Sequence, residues 1–261
     1  FELHPLPLER GRAGSINVRT SIPGSVHVFF MSQEYLLVSE DGLDHVAVIG
    51  IHRMTAPGVY PLTLAMEDAT GRVWTYTKNV LIDDGGYGSE EVWVRGPAAT
   101  ILTDAQLIQE EYLYIAQIMS GFTPIQHWNG LFLLPTSGSL SSAFGTNRSY
   151  NGGSYDTFHS GADFVAPSGT PIYAPASGIV VDTGLLDVRG YTTILDHGWG
   201  VYTGYWHQSS ILVQPGDTVV AGQQIGSVGN TGLSTAAHLH WEMWVRGVQV
   251  DPLQWVREVF P

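Results

Sequence analysis

The sequence predicts an all-β protein, and three observations carry that prediction. Only 13% of the 261 residues are charged, while 31 glycines, 14 prolines, 12 tyrosines and 8 tryptophans favour short strands joined by tight turns. Apolar runs are brief and recur at close intervals, each bounded by Gly, Pro or Asp-Gly. One segment alone sustains a helical stripe.

Taken in order, "SVHVFF", "DHVAVIGI", "GVYPLTLAME" and "RVWTYTKNVLI" read as the strands of a β-sandwich, placed at residues 1–98. Within it, "APGVYPLTLAMEDATGR" resembles bacterial immunoglobulin-like domains, in which a tyrosine, here Tyr60, stands near a strand start at a corner between the sheets. The turn-rich "DDGGYGSEE" and "VWVRGPAAT" interrupt the strand pattern and mark a boundary. A short helical linker is expected over 99–127. Asp104 caps its helix, Leu107, Ile108, Tyr112, Ile115 and Met119 recur along one face, and Gly121 ends it. Such a stripe reads as a packing face.

Residues 128–261 are again Gly-rich and strand-like, with an internal echo between "APSGTPIYAPASGIVVDTG" and "VQPGDTVVAGQQIGSVGNTG". Biotinyl and lipoyl carrier domains are built from comparable paired hairpins but need an acceptor lysine at a hairpin tip. The only lysine, Lys78, lies outside this region, so a carrier role is excluded.

Composition narrows the function further. With 11 basic and 24 acidic residues the net charge of −13 repels phosphate backbones, and no nucleic-acid partner is expected. No apolar run approaches the ~20 residues that span a bilayer. The chain opens Phe-Glu-Leu with no visible signal peptide, so a processed or trimmed start is expected; separately, a monomer is expected. Without cysteine there is neither a disulfide framework nor a thiolate metal site, and any metal must be held by His, Asp or Glu.

Three patches could do so: "FHSGADF" with His159 and Asp163, "GYWHQSS" with His207, and "STAAHLHWEMW" with His238, His240 and Glu242. In a strand, alternation puts His238, His240 and Glu242 on one face and Leu239, Trp241 and Met243 on the other, one a polar cleft and one apolar core. Same-face neighbours lie roughly 7 Å apart, so one imidazole can bind a metal while the other reaches a group bound to it. By the same alternation His207 shares a face with Thr203 and Tyr205. His159 and Asp163 are too far apart in an extended chain, so a bend at Gly161 is required to bring them together. Two imidazoles with one carboxylate form a known ligand set for catalytic zinc, with a fourth position left for water.

In this order, "HSGADF", "YWHQSS" and "GNTGLSTAAHLHWE", followed by "DPL" at Asp251, resemble the lysostaphin-type (LytM-like) zinc metallopeptidases. The likeness covers roughly residues 131–255 and implies an antiparallel β-sheet peptidase domain of that type at 128–261. By resemblance, His159, Asp163 and His240 hold zinc, while His207 and His238 stay off the metal and assist the reaction. The implied activity is a zinc metalloendopeptidase that hydrolyses amide bonds in peptidoglycan cross-links or stem peptides, outside the cytoplasm. The alternative is a non-catalytic, zinc-containing module that binds wall peptide or regulates another hydrolase. The sandwich reads as a spacer, a wall-binding module or a cover for the cleft. Asn147 is a candidate for shaping the cleft, against a plain turn role, and Glu242 is expected to support the site structurally.

Overall fold

Val26, Val28 and Phe30 are buried while the residues between them are partly or wholly exposed, the alternation of a strand with one face on a core. A computed structural model describes residues 1–261, which divide into two units by their contacts, Phe1–Gly86 with Phe260–Pro261, and Tyr87–Val259. The first unit contains β1 (Glu2–His4), β2 (Leu8–Glu9), β3 (Ala13–Arg19), β4 (Gly24–Phe30), β5 (Gln33–Leu36), β6 (Asp44–Gly50), β7 (Gly58–Asp68) and β8 (Val73–Asp83). They form a three-stranded sheet, β1-β3-β6, and a five-stranded sheet, β2-β8-β7-β4-β5. Ile16, Ala47 and Ile49 from the smaller sheet and Val28, Leu62, Val80 and Ile82 from the larger share one core, which makes the unit a two-layer sandwich. Tyr60 donates its phenolic hydrogen to the Ala56 carbonyl, 2.7 Å away and four residues upstream, pinning the entry to β7.

The second unit contains β9 (Ser89–Val92), α1 (Pro97–Thr103), α2 (Ala105–Met119), β10 (Ser139–Ser142), β11 (Asn147–Tyr150), β12 (Thr157–Phe158), β13 (Ala162–Val165), β14 (Pro171–Tyr173) and β15 (Gly178–Leu186). It continues through β16 (Gly190–Gly198), β17 (Val201–Ile211), β18 (Thr218–Val219), β19 (Gln224–Val228), β20 (His238–Val245), β21 (Val248–Val250) and α3 (Pro252–Trp255). Its main sheet runs β10-β13-β20-β17-β16-β15-β18, every pair antiparallel. The two echoing segments interlock, β14 pairing with β19 and β15 with β18. A separate small sheet, β12-β11-β9, holds β9 parallel to β11.

Helix α2 begins where Asp104 accepts the Leu107 amide hydrogen at 3.0 Å, a cap worth ~1 kcal/mol. Packing contributes more: Ile115 and Met119 are fully buried against Ile194, Tyr202, Trp206 and Trp244, at roughly 1.5–3 kcal/mol per side chain. The seven-residue α1 is a second helix in the stretch where one was expected. It buries no side chain, so it lacks the apolar stripe by which a helix is recognised in sequence. No helix is long and apolar enough to cross a membrane.

Candidate metal centre

The site forms where β13 and β20 lie side by side, with Asp163 paired to His240 and Ala162 to Trp241. His159 precedes β13 and turns back over it, so its Nε2 lies 3.0 Å from Asp163 Oδ1. His240 Nδ1 lies 2.7 Å from the same oxygen and 3.0 Å from His159 Nε2. Three potential donor atoms thus converge from three buried side chains. Donors on a tetrahedral metal with ~2.0 Å bonds stand ~3.3 Å apart, so this triangle is close to the size required.

The bend depends on Gly161. A Cβ there would lie 2.4 Å from the Trp241 carbonyl oxygen and 2.8 Å from His240 Nε2, neither of which can swing aside. Gly161→Ala is therefore expected to cost roughly 1–3 kcal/mol by overpacking. Thermal unfolding should show a melting temperature lower by several degrees, and an unchanged value would contradict this account of the bend.

Both imidazoles have their remaining nitrogen engaged. His159 Nδ1 donates toward the Ala143 carbonyl and Ser142 Oγ, each at 3.0 Å, and His240 Nε2 donates to Glu242 Oε1 at 3.1 Å. Since the Ala143 carbonyl and the Glu242 carboxylate can only accept, the lone pairs at His159 Nε2 and His240 Nδ1 are directed at each other and at a carboxylate oxygen. Three lone pairs at that separation repel unless a proton or a cation lies among them. Burial pushes His159 down to about 4. Burial also lowers His240, but the Asp163 and Glu242 carboxylates outweigh it and raise this imidazole above its ordinary value. Asp163 is held well below the usual carboxylate range, since the facing imidazoles overcome the upward push of burial. The donor set fits a divalent cation.

His207 and His238 stand beside this triangle. Their ring centroids are 4.8 Å apart, His207 is 6.2 Å from His240, and His238 Nε2 is 3.7 Å from Asp163 Oδ1. Each donates its Nδ1 hydrogen to a backbone carbonyl at 2.8 Å, Thr231 for His207 and Ala236 for His238, which leaves both Nε2 atoms as lone-pair acceptors. Burial pushes His207 down to about 3, reinforced by His238 and His240, and burial also lowers His238.

Regular alternation does not account for His207. The register sets Tyr205 beside Trp241 and Trp206 beside His240, so a straight strand would send residue 207 to the face opposite the triangle. Three residues of β17 separate the partners of Thr193 and Tyr191, where two would preserve the ladder, and His207 adopts φ 61°. This bulge with one left-handed residue, at ~1–2 kcal/mol of backbone strain, turns the imidazole back toward His240. The His240 face is also not polar throughout. Beyond Glu242 it continues as Trp244, buried with Trp206 and Tyr202 beneath α2.

Glu242 is nearly inaccessible, at 1% exposure. Its Oε1 accepts from Ser160 Oγ (2.7 Å) and His240 Nε2 (3.1 Å), and its Oε2 from Trp244 Nε1 (2.7 Å) and Gln249 Nε2 (3.4 Å). Burial pushes this carboxyl up, but the His240 hydrogen bond and the Arg189 charge hold it well below its ordinary range. Asn147 lies in β11, and its Nδ2 donates to the Gly88 carbonyl at 3.1 Å, bracing β9. The next residue is the one that enters the site. Arg148 Nη2 donates to Asp163 Oδ2 at 2.9 Å, and its Nε to Glu90 Oε1 at 2.6 Å. Neither Arg148 nor Glu90 lies in a histidine-bearing motif, and their partnership crosses from β11 to β9, so no local pattern announces it.

Residues 157–252 match the family described as Peptidase family M23. Along nearly its whole length the chain also superposes on a solved structure from Pseudomonas aeruginosa, described provisionally as a peptidase M23. The TM-score is 0.69 at 30% identity, over 97% of this chain and 95% of that one. The chain belongs to peptidase family M23. This M23 chain is 44% identical over 96 residues to peptidoglycan DD-endopeptidase ShyA of Vibrio cholerae, an alignment covering 37% of this chain and 22% of that protein. It is 40% identical over 95 residues to DD-carboxypeptidase/endopeptidase Mpg of Neisseria meningitidis serogroup B, covering 36% and 22%. The M23 chain thus spans about a fifth of the length of these curated relatives. All five histidine and aspartate residues of the site fall within the family match, whereas Glu90 and Arg148 precede it.

Proposed function

We propose that the chain is a zinc-dependent metalloendopeptidase that hydrolyses amide bonds in peptidoglycan cross-links or stem peptides, acting outside the cytoplasm. One observation carries the reading. Two imidazole lone pairs and a carboxylate oxygen meet within 2.7–3.0 Å, while the other nitrogen of each ring is held by an acceptor. His159, Asp163 and His240 are the residues that would hold zinc. When bound there, zinc supplies Lewis acidity that polarises a scissile carbonyl and activates water at neutral pH.

The remaining steps fall to the protein. His207 and His238 are neutral, keep Nε2 as a lone-pair acceptor and stand beside the triangle, so they serve as acceptors for the proton released when water attacks. The same nitrogens return that proton to the departing amine. A standing imidazolium that stabilises an oxyanion is disfavoured, because burial and the neighbouring rings oppose charge on His207. Glu242 is not the base, since both its oxygens are taken by donors. The names of the relatives support peptidoglycan as the substrate class and an extracytoplasmic site of action.

Elemental analysis after dialysis is expected to find about one zinc per chain, and the loaded protein should release muropeptide fragments from purified peptidoglycan until a chelator is added. Full zinc occupancy without release of any fragment would point instead to a wall-binding or regulatory module.

A further inference from the structure

We infer that Glu90 is a positioning residue that sets two of the three metal-facing side chains, one through Arg148 and the other through Ser142. This rests on the metal-site reading above. A single oxygen, Glu90 Oε1, accepts from Arg148 Nε at 2.6 Å and from Ser142 Oγ at 2.8 Å. From Arg148 the chain of contacts continues through Nη2 to Asp163 Oδ2 at 2.9 Å. From Ser142 it continues through Oγ to His159 Nδ1 at 3.0 Å. Arg148 Nη2 also donates to Ser142 Oγ at 3.2 Å, closing the two branches into one network.

The donor directions are consistent throughout. The Ser142 hydroxyl hydrogen goes to Glu90, so the Ser142 oxygen is free to accept from both Arg148 and the His159 Nδ1 hydrogen. That acceptor, with the Ala143 carbonyl, keeps the His159 proton on Nδ1 and leaves Nε2 bare. On the other branch the guanidinium occupies Oδ2 of Asp163, while Oδ1 alone faces the two imidazoles. A carboxylate free to present both oxygens could chelate a metal and fill the position a substrate needs. Arg148 removes that option, and Glu90 keeps the guanidinium fork in its plane.

The network lies between β9 and β11 within the second unit. Ser89–Val92 pairs in parallel with Asn147–Tyr150, placing Glu90 opposite Arg148. Both side chains are largely buried, with 13% of Arg148 and 29% of Glu90 exposed. An outer pair of this kind typically changes metal affinity or activity 10–100-fold when removed.

The test uses the full chain loaded with cobalt(II), whose visible bands are intense in four-coordinate sites and weaken as the coordination number rises. Arg148→Gln keeps an amide donor but loses the charged fork. Glu90→Gln keeps an acceptor oxygen, is nearly isosteric, and carries the test if the first variant does not fold. Both are expected to bind cobalt with weakened visible bands and to show kcat lowered at least tenfold, with KM within threefold of the parent. Glu90→Gln should have the smaller effect. A parental cobalt spectrum in the folded variants overturns the inference, whatever their kcat. Failure of the parent chain itself to take up cobalt would instead overturn the metal-site reading beneath it.

Discussion

His240→Ala is expected to abolish metal binding and turnover together, whereas His207→Ala should retain the metal and lose turnover. The two rings stand only 6.2 Å apart, so proximity alone does not separate them. Orientation does. His240 Nδ1 is directed at Asp163 Oδ1 and His159 Nε2, while His207 has no nitrogen in that triangle and spends its Nδ1 hydrogen on the Thr231 carbonyl. Removing His240 leaves two donors, too few for a tight site. Removing His207 deletes a proton acceptor, a change typically worth 10²–10⁴-fold in rate. Metal content after dialysis, read beside the rate of peptide release from peptidoglycan, checks both halves. Equal metal loss in the two variants would overturn the division of labour.

Glu242→Ala is expected to produce the largest loss of stability of any single change at the site, about 3–5 kcal/mol. The substitution leaves Ser160, His240, Trp244 and Gln249 without the carboxylate that accepts from them in a buried place. It also uncouples the His240 ring from the group that fixes its proton on Nε2, and metal affinity should fall 10–100-fold as well. Glu242→Gln should recover only part of this, because an amide brings its own hydrogens to a place where the neighbours already donate. Urea unfolding of the metal-free chains measures the stability loss. A midpoint equal to that of the parent would refute the role assigned here.

Much of the site could be read from the sequence because its chemistry sits on short, regular segments. The His238–Glu242 alternation follows from strand geometry alone, and Gly161 marks a bend that the His159–Asp163 spacing demands. Helix α2 was legible for a similar reason, since its buried Ile115 and Met119 repeat at the helical period. What escaped depends on partners distant in sequence or on a break in regularity. His207 reaches its neighbours only through a bulge, which the period-two rule does not foresee. Glu90 sits in a turn-rich stretch that reads as a boundary, yet its strand pairs with β11 more than fifty residues later. The burial of Trp206 and Trp244 beneath α2 has the same origin, because no strand pattern says which helix will cover one end of a polar face.

The saturation of Glu242 has a consequence for how hydrogen ions move. On the inner side of the triangle every carboxylate oxygen but one is already committed: both oxygens of Glu242 to four donors, and Oδ2 of Asp163 to a guanidinium. The ring nitrogens left as acceptors beside the triangle are Nε2 of His207 and Nε2 of His238, and hydrogen-ion exchange is expected to run through that pair of rings. Catalysis should accordingly respond more sharply to changes at these two rings than to the acidity of the saturated inner wall.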